Sequence, residues 1–282
     1  MSLTGRAMFV GAVATVVAVV ALRWRSQDEV PPPMPVQPEA ETVEAAPPAA
    51  SSATEASTAA SQPAPEMQVE VPAAAAPLAG EEDIASALVN LLGRKAVLTF
   101  LQTDDFARRF VATIDNLGRT HAPSRLWPLN PTGGRFTVEE REGRTFISAD
   151  NALRYTPLVL LAETVSVARA VDLYVQMYPL LQRSYEELGY PTGYFNTRLL
   201  QVIDQLLATP DVEDPIPVQL TEVKGPIPST QPWVRYEFAD PALEALSAGQ
   251  KMLLRTGPVN ERRLKNKLQE IRNELLKRAG ER

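Results

Sequence analysis

No lysine or arginine occurs between Arg25 and Arg94, and that gap decides how much of this chain can fold. From Ser26 to Gly80, alanine and proline supply nearly half of the residues, aromatic side chains are missing, and eight acids stand without a base. A stretch of this composition buries too little apolar surface to offset the entropy of ordering it. Pro31, Pro32 and Pro33, with the later prolines, bias it toward polyproline II, and its like charges extend it further. Residues 26–80 are therefore expected to form a disordered, acidic, Pro/Ala-rich linker, which leaves residues 81–282 as the folding part. Roughly 200 residues are ample for one domain with a real core.

The same stretch accounts for more than the whole net charge of −6, so the remaining head is close to neutral, with its acids and bases interspersed. A nucleic-acid binder needs a clustered basic face to neutralise phosphates, and none is expected here. Cysteine is absent and histidine occurs once, at His121. Disulfides, thiol nucleophiles, cysteine-based clusters and multi-histidine metal sites are thereby excluded. No glycine-rich nucleotide loop and no paired-histidine zinc motif is present. No catalytic, cofactor-binding or metal-binding residue is assigned, and an enzyme is the less favoured expectation.

Ahead of the linker, Ala7–Leu22 is uncharged, and Thr15 is its only polar side chain. At 1.5 Å per residue it spans roughly 24 Å as a helix, slightly less than the ~30 Å hydrocarbon core. Arg6 on one side, and Arg23, Trp24 and Arg25 on the other, extend that reach into the interfaces. Residues 1–25 are expected to be a transmembrane anchor. A cleaved signal peptide is the competing reading, weakened by the bulky Arg-Trp-Arg that follows the nearest small residues. Flanking charge does not decide the orientation. The long linker suits an envelope space, giving a single-pass protein of a bacterial inner membrane with a periplasmic head.

Within the head, Glu81-Glu82-Asp83 opens a helix that Gly93 stops, with Ile84, Leu88 and Leu91 on one face. A second helix covers about 94–101. Thr103 reads as the N-cap of a third, carrying Phe106, Phe110, Ile114 and Leu117. Residues 121–134, with three prolines and two glycines, read as loop. Arg135–Val138 and Thr145–Ile147 flank Glu-Glu-Arg-Glu-Gly as a hairpin. Thr156-Pro157 starts a helix whose apolar run, Leu158–Ala168, is expected in the core. A long helix from about Arg169 to Leu188 kinks at Pro179. Asn196 caps the next, strands fall near 218–223 and 233–238, Asp240-Pro241 opens a short helix, and Pro258 begins the last. The expected fold is mainly α, a helical globular domain with a minor β-hairpin.

Several short stretches carry a resemblance. Leu91-Leu92-Gly93-Arg94-Lys95-Ala96-Val97, Tyr178-Pro179-Leu180-Leu181, Gly189-Tyr190-Pro191-Thr192-Gly193-Tyr194-Phe195-Asn196, Tyr236-Glu237-Phe238-Ala239-Asp240-Pro241 and Ala248-Gly249-Gln250-Lys251 are similar to an uncharacterised bacterial membrane-anchored family, domain of unknown function 3014. The resemblance covers most of 81–282 and implies an N-terminal membrane segment. It implies no activity and no catalytic residues.

Two surfaces are the candidates for binding. Tyr185, Tyr190 and Tyr194 beside Asn196 and Arg198 would form an aromatic groove for sugar or peptide, unless the tyrosines are core packing. Arg262, Arg263, Lys265 and Lys267 line the seam Leu264, Leu268, Ile271 and Leu275 of the last helix, which would meet a partner helix or anionic lipid, or simply pack on the head. The leading expectation is a binding or scaffolding module with an envelope-protein or cell-wall partner. The alternative is a periplasmic cell-wall hydrolase or lyase using carboxylates near the Tyr/Gly loop.

Overall fold

The computed structural model describes residues 76–212, 215–221 and 232–280, all within the compact unit Ser61–Arg282. The expected anchor and nearly all of the expected linker lie outside the described residues. Among the described residues, no helix is long and apolar enough to cross a membrane.

The chain is mainly helical. Helices α1 (Glu81–Leu92), α2 (Arg94–Phe100) and α3 (Phe106–Leu117) lead to a hairpin of β1 (Val138–Arg141) and β2 (Arg144–Ile147). Helices α4 (Thr156–Thr164), α5 (Val167–Glu187) and α6 (Phe195–Leu207) follow. A second antiparallel pair, β3 (Val218–Leu220) with β4 (Tyr236–Phe238), precedes α7 (Pro241–Glu244), α8 (Ala248–Arg255) and α9 (Pro258–Gly280). The β content is thus two short antiparallel pairs, the expected hairpin and a second formed by the two strands expected near 218–223 and 233–238. They meet where the Ile147 N–H donates to the Ile216 carbonyl at 2.9 Å.

The main core gathers Ile84 of α1, Val111 of α3, Val171 and Leu181 of α5, Phe195 of α6 and Leu275 of α9. Burying each large side chain contributes about 1.5–3 kcal/mol. Helix α3 packs against α5, α6 and α8, while α9 crosses α4, α5 and α6. A smaller core of Ile216, Val218, Phe238, Leu243 and Leu254 lies under the strands. Helix α8 closes on α3 at Gly249, where a Cβ would stand 2.5 Å from Leu206 Cδ2 and 3.1 Å from the Leu117 carbonyl. A side chain at this position would require Leu206 to turn aside and the Leu117 carbonyl to give by a few tenths of an ångström.

Several local expectations are corrected. Thr103 does not cap α3. The N-cap position is Asp105, in the left-handed region at φ 53°, and the cap is supplied from a distance. The Glu81 carboxylate accepts from the Phe106 N–H at 2.8 Å and from the Ala107 N–H at 3.3 Å. A carboxylate from another helix completes the terminus better than the adjacent threonine. The hairpin turn is only Glu142-Gly143, both at positive φ as a tight two-residue connection requires, so Glu139–Arg141 belong to the strand.

Leu158–Ala168 is not a core segment. Helix α4 ends at Thr164, Val159 is buried, and Leu160 is 47% exposed. Lying at the edge against α9, α4 buries one side only. Helix α5 continues through Pro179, which is exposed. Asn196 is not the cap of α6 but a buried residue of its first turn, Tyr194 holding the N-cap position. Asp240 caps α7 as expected, accepting from the Ala242 N–H at 2.8 Å.

Candidate functional site

Tyr174, Tyr178 and Tyr185 recur on one face of α5 because their spacing repeats the helical turn, and that face points inward. The Tyr174 hydroxyl donates to Asn196 Oδ1 at 3.0 Å, and burial pushes this phenol well above its ordinary range. Gln182 holds the loop between α5 and α6. Its Oε1 accepts from the Phe195 N–H at 2.9 Å, and its Nε2 donates to the Gly193 carbonyl at 2.8 Å and to Glu186 Oε1 at 3.0 Å. The Tyr185 ring stacks on Tyr190 at 4.5 Å between centroids.

These residues converge on a carboxylate that is not among the sequence candidates. Asp115, in the last turn of α3, is 3% exposed. Arg198 Nε donates to its Oδ1 at 3.0 Å and Arg198 Nη2 to its carbonyl at 2.8 Å. Arg119 Nη2 donates to Oδ2 at 2.7 Å, the Tyr190 hydroxyl donates to the same oxygen at 3.3 Å, and Arg119 also donates to that hydroxyl. The Asp115 charge raises the Arg119 guanidinium above its ordinary value. A buried carboxylate is tolerable only when paired and hydrogen-bonded in this way. Its sequence signal is position: Asp115 continues the inward face Ala107, Val111, Ala112, where an acid demands a partner.

Of the aromatic candidates, Tyr185 and Asn196 are buried, while Tyr190, Tyr194 and Arg198 are half-buried. Tyr185, Tyr190 and Arg198 are brought together around Asp115, and Asn196 sits instead under Tyr174.

On α9, Lys265 Nζ donates to the Thr209 carbonyl at 2.7 Å and faces Glu261 at 2.8 Å and Asp211 at 3.1 Å. Lys267 reaches the Val165 carbonyl at 3.4 Å and Glu270 at 3.1 Å. Arg263 faces Glu163 at 3.6 Å, and Arg262 is exposed. The seam Leu264, Leu268, Ile271 and Leu275 packs on the head's own cores.

A different place remains open. Between the loop after α3 and the β4–α8 segment lies a groove of 740 Å³, within the size range of small-ligand sites. His121, Trp127, Tyr155, Arg235, Lys251 and Arg255 line it. Two of its donors, Trp127 Nε1 and Arg235 Nη1, are buried without a hydrogen-bond partner among the described residues. Each such donor costs about 1–3 kcal/mol. Arg255 stands 4.7 Å over the Phe238 ring and donates from Nη2 to the Tyr236 carbonyl at 3.2 Å. Burial lowers its guanidinium from the ordinary value, with the Glu244 charge opposing. Glu244 is itself lowered. Burial pushes it up, but hydrogen bonds from Lys251 and the Phe238 N–H, with the charges of Lys251 and Arg255, prevail.

These groove residues are scattered from 120 to 255, so no sequence window announces them. Tyr236, Glu237, Ala248 and Lys251 do fall within the stretches that carry the family resemblance. Among the described residues no cluster of three or more potential metal ligands occurs.

No curated protein and no solved structure matches this chain. A family profile does, across residues 106–272, which takes in α3, the Asp115 cluster, the groove and most of α9. With more than half of its length matched, the chain belongs to the family described as protein of unknown function (DUF3014).

Proposed function

We propose that the head is a binding module, held at a bacterial inner membrane by its N-terminal segment, and that the groove is its ligand seat. The observation that carries the reading is the pair of buried donors, Trp127 Nε1 and Arg235 Nη1, which have no acceptor among the described residues and belong to side chains that line the groove. A folded protein ordinarily satisfies such groups, and a site that recognises an outside molecule is one place where it does not. The uncharged run Ala7–Leu22 supports membrane attachment, and the Ala/Pro-rich segment after it supports a spacer that sets the head away from the bilayer. The envelope side is the proposed location.

Nothing among the described residues favours the hydrolase reading. Of the carboxylates around the Tyr/Gly loop, Asp115 is held by two arginines and Glu186 accepts from Gln182.

A photo-reactive residue at Val234, on the groove rim and 66% exposed, tests the reading in cells against one at Glu270 on α9. Capture of an envelope protein or of wall material from Val234 and not from Glu270 is expected. Equal capture from both positions, or none, contradicts it. A reporter fused after Arg282 that is active only in the cytoplasm contradicts the location.

A further inference from the structure

The lining of the groove also indicates what kind of ligand it takes. Its two acids are already engaged. Glu244 Oε1 holds Lys251 Nζ at 2.7 Å, and Oε2 accepts from the Phe238 N–H at 2.9 Å. Glu237 Oε1 accepts from Gln219 Nε2 at 2.9 Å, while the Thr221 hydroxyl, 3.3 Å from its Oε2, donates to the nearer Arg235 carbonyl at 2.8 Å. Four cations share the same walls: Arg125, Arg235, Lys251 and Arg255. Bases outnumber acids, and the deficit in hydrogen bonding is one of acceptors. Indole and guanidinium groups only donate, so nothing but an acceptor can complete Trp127 and Arg235. In a partly desolvated cleft of positive sign, an anionic acceptor is favoured over a neutral one. Ala122, Pro123, Val234 and Met252 supply apolar wall beside these groups.

We infer that the groove takes an oxyanion, carboxylate or phosphate, joined to an apolar body, carried by the partner that the groove seats. Arg235 and Trp127 are the donors that reach the oxyanion, each turning an idle N–H from the groove wall toward it. The assignment rests on the groove being a ligand seat, and it adds the chemical class.

The three tryptophans of the full chain give three indole N–H signals in a detergent-solubilised, ¹⁵N-labelled sample, and Trp127→Phe identifies that of Trp127. The probes are benzoate, its neutral isostere benzamide, and phenyl phosphate. Benzoate or phenyl phosphate is expected to shift the Trp127 indole signal saturably, and benzamide is not. Whichever anion saturates at the lower concentration identifies the source of the oxyanion. Arg235→Met is expected to weaken that binding at least about tenfold. Arg235→Lys, which keeps the charge without the fork, is expected to fall between and stands in should the methionine variant not fold. If benzamide binds as well as the anions and both variants leave the titration unchanged, the oxyanion assignment is overturned while the seat stands. If no probe moves Trp127, the assignment falls, and the cross-linking from Val234 then decides whether the seat falls with it.

Discussion

The Asp115 cluster and the groove are built from the same residue types, arginine, tyrosine and carboxylate, yet they leave their polar groups in opposite states. Around Asp115, both carboxylate oxygens are taken by donors from the loop after α3, from α6 and from the Tyr190 loop. In the groove, the carboxylates are engaged and two N–H donors are not. Electrostatic groups that close on each other hold a fold together. Those left with a surplus of one sign and one hydrogen-bonding role await something from outside. The difference is one of accounting, not composition, and on the proposed reading it separates a structural site from a recognition site.

The largest effect should come from removing the centre of the closed cluster. Asp115→Ala leaves Arg198 without its carboxylate in a half-buried setting and should cost about 3 kcal/mol in urea unfolding. Arg119→Ala, whose side chain is 51% exposed, should cost less than about 1 kcal/mol. Equal losses would show that the cluster's stability does not centre on the buried carboxylate. Gly249→Ala forces a methyl group into contact with Leu206 and the Leu117 carbonyl, and about 1–3 kcal/mol of overpacking is expected. Tyr174→Phe removes the donor to buried Asn196 Oδ1, for about 1–2 kcal/mol. An unchanged unfolding midpoint would mean that other groups satisfy Asn196.

The smallest effect is a pH dependence at the groove's edge. Glu244 sits below its ordinary value in the folded state, so the native protein binds fewer protons there than the unfolded chain. Its stabilisation is full above the ordinary carboxylate range and is lost as pH falls through the lowered value. Glu244→Gln should reduce the acid-side slope of stability. A slope identical to that of the parent would remove Glu244 from the account.

The sequence made the fold largely legible, because helical periodicity and punctuation are local. Gly93 ends α1, Pro258 opens α9, and Asp240 caps α7 as their residue types dictate. What it hid depends on distant partners. The α3 cap comes from Glu81, twenty-five residues earlier in the chain than Phe106. Leu158–Ala168 is apolar enough for a core, but the packing of α4 against α9 leaves Leu160 outside. The aromatic loop was visible as a cluster, whereas the carboxylate it surrounds lies on α3, 83 residues before Arg198. The groove was not visible at all. Unsatisfied donors are a property of three-dimensional surroundings, and no spacing of Trp127 and Arg235 encodes them.

The most direct test of the contrast is the unfolding free energy of the double variant Trp127→Phe with Arg235→Met. If the two donors belong to recognition and contribute nothing to the fold, the variant should be as stable as the parent within about 0.5 kcal/mol, or more stable. A loss above about 2 kcal/mol would show that they hold the structure together as Asp115 does, and would contradict the assignment of the groove.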